Sequence, residues 1–555
     1  MKKNLIKILA LIFGLTLSFS CNQDLLDIKQ KGVIEFDNYY ANAGPDEAES
    51  LMAAVYYQYY AQLTYITTHI FLDVLSDDNE AGGNAFIDQA SGFNVATAYI
   101  MSSTQENLSH MYVQAYKLIY WANCIIEKIP DSSNERIKRV KAEANFMRAL
   151  AMFELVRWFG TPPFVDCLDT ALEAPYYLPN GDHAVIIPWV LARMRESADA
   201  LPALSGMGQQ EAFGARLSKH AALAYIGKVA LWYGTRYNNS DILAQAVEPL
   251  RTVVNSGLYG LLEDIFMLDR PAADFSKEYV FEHNSADVTS YPNDQSDNRQ
   301  QWTNWRNQYM TLPQELWNSG WQWDPPSGDF GRFLEEHEGG IEKPRFKSTI
   351  HTYEQVLAMT YDPNAAIPPG IFGPLSASEG YFRYRRLWFY DDVYHEIPGS
   401  SSSTKKSKAN HFYMGYNEVL LMYAEAQFLV NGDADGTGLA ALNQLRRRAE
   451  IPELGSMTYQ DIKDERRAEM WSRSERFFDL VRWGDAATAL KDKGKYRYTM
   501  YGYVKDANGN VVEPKTWDIR MQPGPGNGWD PKYELLPFPY TQLSVNPNLK
   551  QNPGW

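Results

Sequence analysis

Five of the fifteen tryptophans of this chain lie within one short segment, at positions 302, 305, 317, 321 and 323. Tyr291 and the polar run PNDQSDNRQQ (292–301), which includes Arg299, come directly before them. Aromatic rings can stack on the apolar face of a sugar ring, while amide, carboxylate and guanidinium groups can bind its hydroxyls. The segment therefore predicts a carbohydrate platform, and its candidate ligand contacts are Tyr291, Arg299, Trp302, Trp321 and Trp323.

Helical spacing within the same segment supports an alternative interpretation, in which some of these rings are core residues. Trp302, Trp305 and Tyr309 fall at i, i+3 and i+7, a spacing typical of one buried helix face. We therefore expect a mixture of buried and exposed rings. Trp321 and Trp323 have the most loop-like setting and Trp302 comes next, whereas the predicted core residues are Trp305 and Trp317.

A second polar group follows an apolar run in LDVLSDDNEAGGN (72–84), where Asp77, Asp78 and Asn79 stand together. One interpretation is a helix C-terminus followed by a flexible polar loop. The other is a set of groups that bind a hydroxyl-rich ligand or a calcium ion, since carboxylate and amide oxygens suit both uses. Asp77, Asp78 and Asn79 therefore join the candidate ligand contacts.

Motifs for catalysis or cofactor binding are absent from the sequence. It contains no phosphate-binding Gly-rich loop ending in Lys, no Gly-x-Ser-x-Gly, no His-Glu-x-x-His and no Cys-x-x-Cys. NGDADGTG (431–438) resembles the start of a calcium loop, but its twelfth position is Gln444 instead of Glu, which predicts a plain turn between two helices. No spacing selects a pair of carboxylates for glycoside hydrolysis. We predict no catalytic residue, no metal site and no cofactor.

The formal net charge of −16 excludes one class of partner and disfavours another. Nucleic acid is an unsuitable partner, because phosphate binding needs a basic face. Docking on anionic lipid head groups is disfavoured for the same electrostatic reason.

The N-terminus has the pattern of an export signal over residues 1–20: Lys2 and Lys3, an apolar stretch too short to span a bilayer, and small residues up to Ser20. Cys21 stands directly after the expected cleavage point, which predicts that this cysteine is lipidated. An ordinary signal peptide followed by an incidental cysteine is the alternative. Export to an oxidising compartment would allow Cys124 and Cys167 to pair, and the sequence leaves that question open.

Helical periodicity dominates most of the chain and must supply the elements that position these groups. It predicts helices near 47–62, 104–129, 134–158, 188–200, 216–236 and 241–256, paired as in an α-solenoid. Residues from about 260 to 414 are rich in Gly, Pro and Asn, with short strands predicted within 277–283 and 381–394. The predicted division is a signal peptide 1–20, a first scaffold part 21–260, an irregular loop-rich insertion 261–414 carrying the candidate ligand region, a second scaffold part 415–491 and a Gly/Pro-rich C-terminal region 492–555.

Several blocks of the sequence resemble signatures of the SusD/RagB family. They are residues 142–164, 344–350, 416–427, 442–451, 465–484 and 535–555. Their order and separation also match, so the resemblance covers nearly the whole mature chain. It implies a mostly α fold, in which a tetratricopeptide-like scaffold of helix pairs packs against a large irregular loop-rich insertion containing short strands. It further implies that loops near the N-terminal acidic segment approach the ligand site.

The same resemblance implies a function. The expected protein is a non-catalytic lipoprotein of a Bacteroidetes outer membrane, held at the cell surface by lipid on Cys21. It would capture oligosaccharide or polysaccharide and deliver it to a partner TonB-dependent transporter of the SusC type. Two alternatives remain open: a peptide- or protein-binding surface lipoprotein of the RagB type, and a secreted glycoside hydrolase.

Overall fold

The computed structural model describes residues 36–63, 66–82, 91–173, 176–284, 303, 321–360, 375–376, 379–383, 394–395, 406–407, 409–513 and 517–555. The predicted signal peptide, Cys21 and much of the predicted insertion lie outside these residues. Helices before residue 260 are α1 Phe36–Ala41, α2 Pro45–Tyr57, α3 Ile66–Asp73, α4 Ser91–Thr97, α5 Glu106–Lys128, α6 Glu135–Phe159, α7 Leu168–Glu173, α8 His183–Ala200, α9 Gln210–Phe213, α10 Lys219–Arg236, α11 Ser240–Ala244 and α12 Val247–Val254. Helices after it are α13 Gly328–Glu338, α14 Pro344–Thr349, α15 Tyr353–Thr360, α16 Tyr416–Asn431, α17 Thr437–Arg448, α18 Tyr459–Glu469, α19 Arg476–Trp483, α20 Ala486–Ala489 and α21 Tyr540–Val545.

Helix α6 illustrates how local sequence sets the scaffold. Asn134 caps its start, because the side-chain oxygen accepts a hydrogen bond from the backbone N–H of Arg136 at 2.9 Å. Gly160 ends the helix with a φ of 74°, a conformation that costs glycine little. Pro162 and Pro163 follow and cannot continue a helix. The sequence prediction of a helix over 134–158 is confirmed.

Other predicted helices differ from the structure in ways that have a local cause. The predicted helix 47–62 ends as an α-helix at Tyr57 and continues as one π turn, Gln58–Leu63. The predicted helix 188–200 begins earlier, at His183, because Asp182 caps it by accepting from Ala184 N at 2.8 Å. The predicted helix 241–256 is two helices, α11 and α12. Pro249 lies in the first turn of α12, where its missing N–H leaves no helical bond unmade.

The helices form pairs along the chain, and both parts of the scaffold share one core. Helix α6 packs between α5 and α8, α10 packs on α8 and α12, and α16 of the second part packs on α12 and α17. A single cluster of buried apolar residues runs from Tyr40 to Leu549. The fold is therefore mostly α and consistent with a tetratricopeptide-like scaffold, as predicted. Cys124 and Cys167 form no disulfide bond with each other.

Short antiparallel strands lie between and beside the helices. They are β1 Tyr279–His283, β2 Ile350–Thr352, β3 Leu375–Ser376, β4 Tyr381–Arg383, β5 Tyr394–His395, β6 Lys406–Ser407, β7 His411–Gly415, β8 Tyr496–Tyr503 and β9 Trp517–Pro523. Strand β1 pairs with β7, so that Tyr279 faces Gly415 and His283 faces His411. The chain therefore leaves the scaffold after β1 and returns beside it at β7. The predicted strand within 277–283 is confirmed, and parts of 381–394 form β4 and β5.

Buried ion pairs join the segments that resemble family signatures. Arg345 of α14 is fully buried and contacts Glu338 of α13 at 2.6 Å and two carboxylates of α18, Glu465 at 2.5 Å and Glu469 at 3.1 Å. Buried charges need such partners, because an unpaired one carries a large desolvation cost. The buried ion pairs of Arg345 therefore link the block at 344–350 to the block at 465–484. Within the described residues, no helix is both long and apolar enough to cross a membrane.

Candidate functional site

The acidic segment after α3 pairs directly with the end of the tryptophan-rich region and with the residues that follow it. Asn79 and Pro326 form an antiparallel bridge. The backbone N–H of Glu80 donates to Pro325 O at 3.0 Å, and that of Gly82 donates to Trp323 O at 3.3 Å. A Cβ at Gly82 would lie 1.8 Å from the carbonyl oxygen of Gln322, so only glycine allows this approach. The structure thus brings together two of the segments that the sequence singled out.

The two described tryptophans of the platform differ in exposure. The Trp321 side chain is 38% exposed, whereas Trp323 is 6% exposed and belongs to the main core. Their ring centroids are 4.6 Å apart with planes at 46°, and Trp323 in turn contacts Phe93 of α4 at 5.6 Å. Gln322, between them, has a φ of 54°, which turns the chain. Trp323 lies outside helices and strands, as expected, but the expectation that it is accessible is wrong, and its buried ring packs against Trp321.

Asp77 and Asp78 are held in ion pairs. Arg476 Nη2 lies 2.9 Å from Asp77 Oδ2, and Arg467 Nη2 lies 2.7 Å from Asp78 Oδ1. Burial would raise the pKa of Asp77, but the guanidinium groups of Arg476 and Arg467 outweigh burial and lower that pKa. The expectation of a flexible polar loop here is wrong, because these pairs fix the loop against α18 and α19. Ligand contact by Asp77 and Asp78 stays a prediction.

Asn79 also helps to fix the acidic loop in place. Its side-chain nitrogen donates to Asp324 Oδ1 at 2.7 Å, and the residue is 1% exposed. Asp324 accepts in addition from the side chain of Arg383, whose Nη2 also donates to the Asp324 carbonyl at 2.7 Å. Burial raises the pKa of Asp324 to about 7, against the lowering effect of Arg383. A ligand contact by Asn79 likewise stays a prediction.

A small cleft of about 30 Å³ opens beside this loop. Its lining residues come from the loop, from α4 and from β8, and they include Glu80, Asn94, Thr97, Tyr496 and Tyr498. Glu80 is oriented by Thr97 Oγ1, which donates to it at 2.9 Å, and by Lys493 Nζ at 2.9 Å. The Tyr496 side chain is 47% exposed. The cleft therefore combines accessible aromatic area with hydrogen-bonding groups.

Sequence reasoning missed the residues that α4 and β8 contribute to this cleft. A signal did exist for one strand, because YRYTMYGY (496–503) places Tyr496 and Tyr498 two apart, on one face of a strand. Nothing in the sequence connected that strand to Glu80. Tyr291, Arg299 and Trp302, together with Trp305 and Trp317, lie outside the described residues.

The candidate calcium-like loop is a turn, as the sequence predicted. Residues 432–436 connect α16 to α17, and Asp433 accepts from the backbone N–H groups of Gly438 at 2.7 Å and Leu439 at 2.9 Å. Its carboxylate thus caps the start of α17. The part of the chain that the structure describes contains no cluster of His, Cys, Asp and Glu suited to a metal ion.

Two family models match the chain. One, described as the SusD family, matches residues 277–555, and the other, described as starch-binding associating with outer membrane, matches residues 47–231. A SusD-like protein of Bacteroides ovatus is 22% identical over 487 residues, which are 82% of this chain and 82% of the relative. SusD-like protein P25 of Formosa agariphila is 22% identical and covers 99% of this chain and 98% of its own.

Solved structures share the fold. A laminarin binding SusD-like protein has a TM-score of 0.69 at 23% identity and covers 92% of this chain and 99% of its own. Surface glycan-binding protein A from Bacteroides thetaiotaomicron, in complex with laminarihexaose, has a TM-score of 0.68 at 17% identity, with 91% and 99% covered. At these identities the likeness concerns the fold.

Proposed function

Because this chain belongs to the SusD family, we propose that it is a surface glycan-binding protein that captures oligosaccharide or polysaccharide and has no catalytic activity of its own. The capture site would comprise Trp321 and the cleft lined by Glu80, whose segments are joined by the backbone hydrogen bond from Gly82 to Trp323. Binding would occur at the outer membrane, where lipid on Cys21 retains the protein. A TonB-dependent transporter of the SusC type would receive the captured glycan.

The observation that carries this proposal is the contrast between Trp321 and Trp323. An exposed indole that packs on a buried indole offers a flat apolar face whose orientation is already determined. A sugar ring can stack on such a face, and little side-chain entropy is lost on binding because the ring is held before the ligand arrives. An isolated surface tryptophan would lose more side-chain entropy on binding, because nothing holds its ring before the ligand arrives.

The cleft supplies the polar half of the same chemistry. Glu80 accepts hydrogen bonds, Asn94 both donates and accepts, and the tyrosine hydroxyls of β8 do both. These groups suit the hydroxyl rim of a sugar whose ring lies on Trp321. The ion pairs of Asp77 and Asp78 contribute indirectly, since they hold the loop that carries Glu80. Two structural neighbours are named for binding laminarin and laminarihexaose, which supports a glycan as the ligand class.

The test is affinity gel electrophoresis with a panel of plant, fungal and bacterial polysaccharides, including laminarin and starch. Trp321→Ala should weaken retardation about tenfold, or about 1.4 kcal/mol, which is the scale of one aromatic stack. Its melting temperature should match the wild type. Tyr177→Ala is the matched control, because that ring is 65% exposed and does not line the cleft.

Three results would count against the proposal. If no glycan in the panel retards the wild type, glycan capture is wrong. If Trp321→Ala binds as tightly as Tyr177→Ala, the capture site is elsewhere. If the wild type releases new reducing ends from a retained glycan, the protein is an enzyme.

Retention at the membrane has a separate test. Cys21→Ser should abolish incorporation of labelled fatty acid and move the protein from the membrane fraction to the soluble fraction, because the lipid would supply its attachment. Growth of the variant on the bound glycan reports whether delivery to a transporter depends on that attachment. A Cys21→Ser protein that remains in the membrane fraction would contradict the lipid-anchor proposal.

A further inference from the structure

A second aromatic site lies at the C-terminal end of α2, within the sequence YYQYY (56–60). Tyr56, Tyr57, Tyr59 and Tyr60 all line one cavity of about 380 Å³, which we name the tyrosine pocket. Its remaining aromatic walls are Phe281 and His283 of β1 and Tyr413 of β7. Cavities of this size, with aromatic walls and a few polar groups, are typical of small-molecule sites.

The cavity lies where α2 passes into the π turn, with Tyr56 and Tyr57 at the end of the helix and Tyr59 and Tyr60 in the turn. Residues 58–63 are wound more widely than an α-helix, and such turns occur frequently at functional sites. Gln58, in the middle of the four, points the other way and is 1% exposed. Its side-chain nitrogen donates to Gln114 Oε1 at 2.7 Å and to the Gln114 carbonyl at 3.2 Å. That attachment to α5 leaves the tyrosines on the cavity side.

The aromatic walls are held by contacts with one another. Tyr59 meets Tyr413 edge to face with centroids 5.0 Å apart, and Tyr413 contacts Phe281 at 5.4 Å. The Tyr60 ring stacks on His283 with nearly parallel planes. Rings fixed in this way lose little freedom when a ligand arrives.

Charged groups at the pocket are oriented by ion pairs. Arg216 Nη1 lies 3.2 Å from Glu49 Oε1, and Arg216 Nη2 lies 2.7 Å from Glu143 Oε2. Arg136 also contacts Glu49, and these bonds lower the pKa of Glu49 to about 2, so its carboxylate stays ionised. The pocket therefore presents donors on Arg216 and acceptors on Glu49 in determined positions beside aromatic rings. That combination matches the apolar face and the hydroxyl rim of a sugar.

The tyrosine pocket adjoins a second cavity. Tyr59 and Tyr413 also line an inner cavity of about 110 Å³ that contains Arg157, Lys228 and Glu475. These two rings are the lining residues that the two cavities share. The tyrosine pocket, at about 380 Å³, lies near the lower end of the volumes of ligand sites, so it has room for a short saccharide and not for a long chain.

We propose that the tyrosine pocket is a second carbohydrate subsite, which binds the terminal one or two sugar units of an oligosaccharide. It shares no residue with the Trp321 cleft, since α2, the π turn, β1 and β7 build it. The proposal rests on the proposed function for its ligand class. A capture protein with both subsites would hold long chains along Trp321 and short chains or chain ends at the tyrosine pocket.

The test is isothermal titration of the full mature chain with short oligosaccharides prepared from the polysaccharide that retards the wild type. Ala53 is exposed and lines the pocket, so Ala53→Trp should fill it from the surface. Ala54→Trp is the matched control, because Ala54 is exposed on the same helix and does not line the pocket. We expect two equivalents bound by the wild type and by Ala54→Trp, and one by Ala53→Trp. If Ala53→Trp melts below the wild type, Tyr57→Ala replaces it.

Trp321→Ala separates the two proposals in the same titration. It should weaken one of the two equivalents about tenfold and leave the affinity of the other unchanged, and this unchanged equivalent is the one that Ala53→Trp removes in the double variant. If the wild type binds one equivalent and only Trp321→Ala weakens it, the second subsite is overturned and the Trp321 site stands. The same conclusion follows if a peptide mixture saturates the tyrosine pocket and no saccharide does. If the wild type binds one equivalent and only Ala53→Trp removes it, the result supports the tyrosine pocket and overturns the Trp321 site. A wild type that binds no saccharide overturns both.

Discussion

Asp78 accepts a hydrogen bond from Arg467, a residue 389 positions later in the chain, with the Arg467 Nε 2.7 Å from Asp78 Oδ1. Asp78 is 1% exposed, so this bond is made in the protein interior. It joins the loop that carries Glu80 to helix α18 of the second scaffold part. The candidate site is therefore positioned by contacts between the two halves of the sequence.

Arg467→Ala should lower the free energy of unfolding by about 3–5 kcal/mol, because it leaves Asp77 and Asp78 with one buried partner fewer. Urea denaturation followed by circular dichroism measures this change. Lys138→Ala removes one partner of an exposed pair with Glu135 and should leave the unfolding midpoint almost unchanged. Equal midpoints for the two variants would contradict a stabilising role of the Asp78–Arg467 pair.

The pH dependence of stability should report on Glu282. Burial raises the pKa of Glu282 to about 7, although Asn410 Nδ2 donates to it at 2.9 Å. The folded state therefore binds more protons than the unfolded state between the ordinary pKa of 4.5 and 7. This contribution to stability is fully present below pH 4.5 and is lost as the pH rises through 7.

Glu282→Gln keeps an acceptor for Asn410 and cannot titrate, so its unfolding free energy should fall less steeply over that pH range. The slope should decrease by up to about 1.4 kcal/mol per pH unit. Asp274, whose pKa burial also raises to about 7, should preserve part of the wild-type slope. Exposed Glu453→Gln should reproduce the wild-type profile, and an unchanged slope in Glu282→Gln would refute the assignment.

Trp323→Ala and Trp321→Ala should separate stability from binding. Loss of the buried Trp323 ring should cost about 3–5 kcal/mol in the free energy of unfolding, the usual range for a large aromatic residue in a core. Loss of the exposed Trp321 ring should cost less than about 1 kcal/mol. Chemical denaturation of both variants checks this difference, and similar losses would show that the two rings share one environment.

Gly82→Ala should disturb the capture site through the backbone. The added methyl group would meet Gln322 O at 1.8 Å and Pro325 Cδ at 2.9 Å, so the two segments must move apart. We expect lower stability and weaker glycan retardation together. Gly455→Ala is the control, since a Cβ there meets no atom within 4 Å. Unchanged glycan binding in Gly82→Ala would show that Trp321 does not depend on this pairing.

The sequence by itself determined the elements whose signals are local. Helices α5 and α6 follow from apolar periodicity, and Gly160 with the prolines after it ends α6. Blocks such as 465–484 resemble the family through their residue types and their order along the chain. The turn at 431–438 followed from the absence of Glu at position 444. Each of these features depends on neighbours within a few turns of chain.

Only the tertiary structure decided which groups at the site are accessible. Trp321 and Trp323 have similar local surroundings, yet Phe93 and the rest of the core cover one ring and leave the other exposed. The segment with Asp77 and Asp78 has the sequence pattern of a solvated loop, and only the structure places Arg467 and Arg476 beside it. Tyr496 joins the cleft from a strand more than 400 residues beyond Glu80. Exposure depends on contacts between distant segments, and no local periodicity records those contacts.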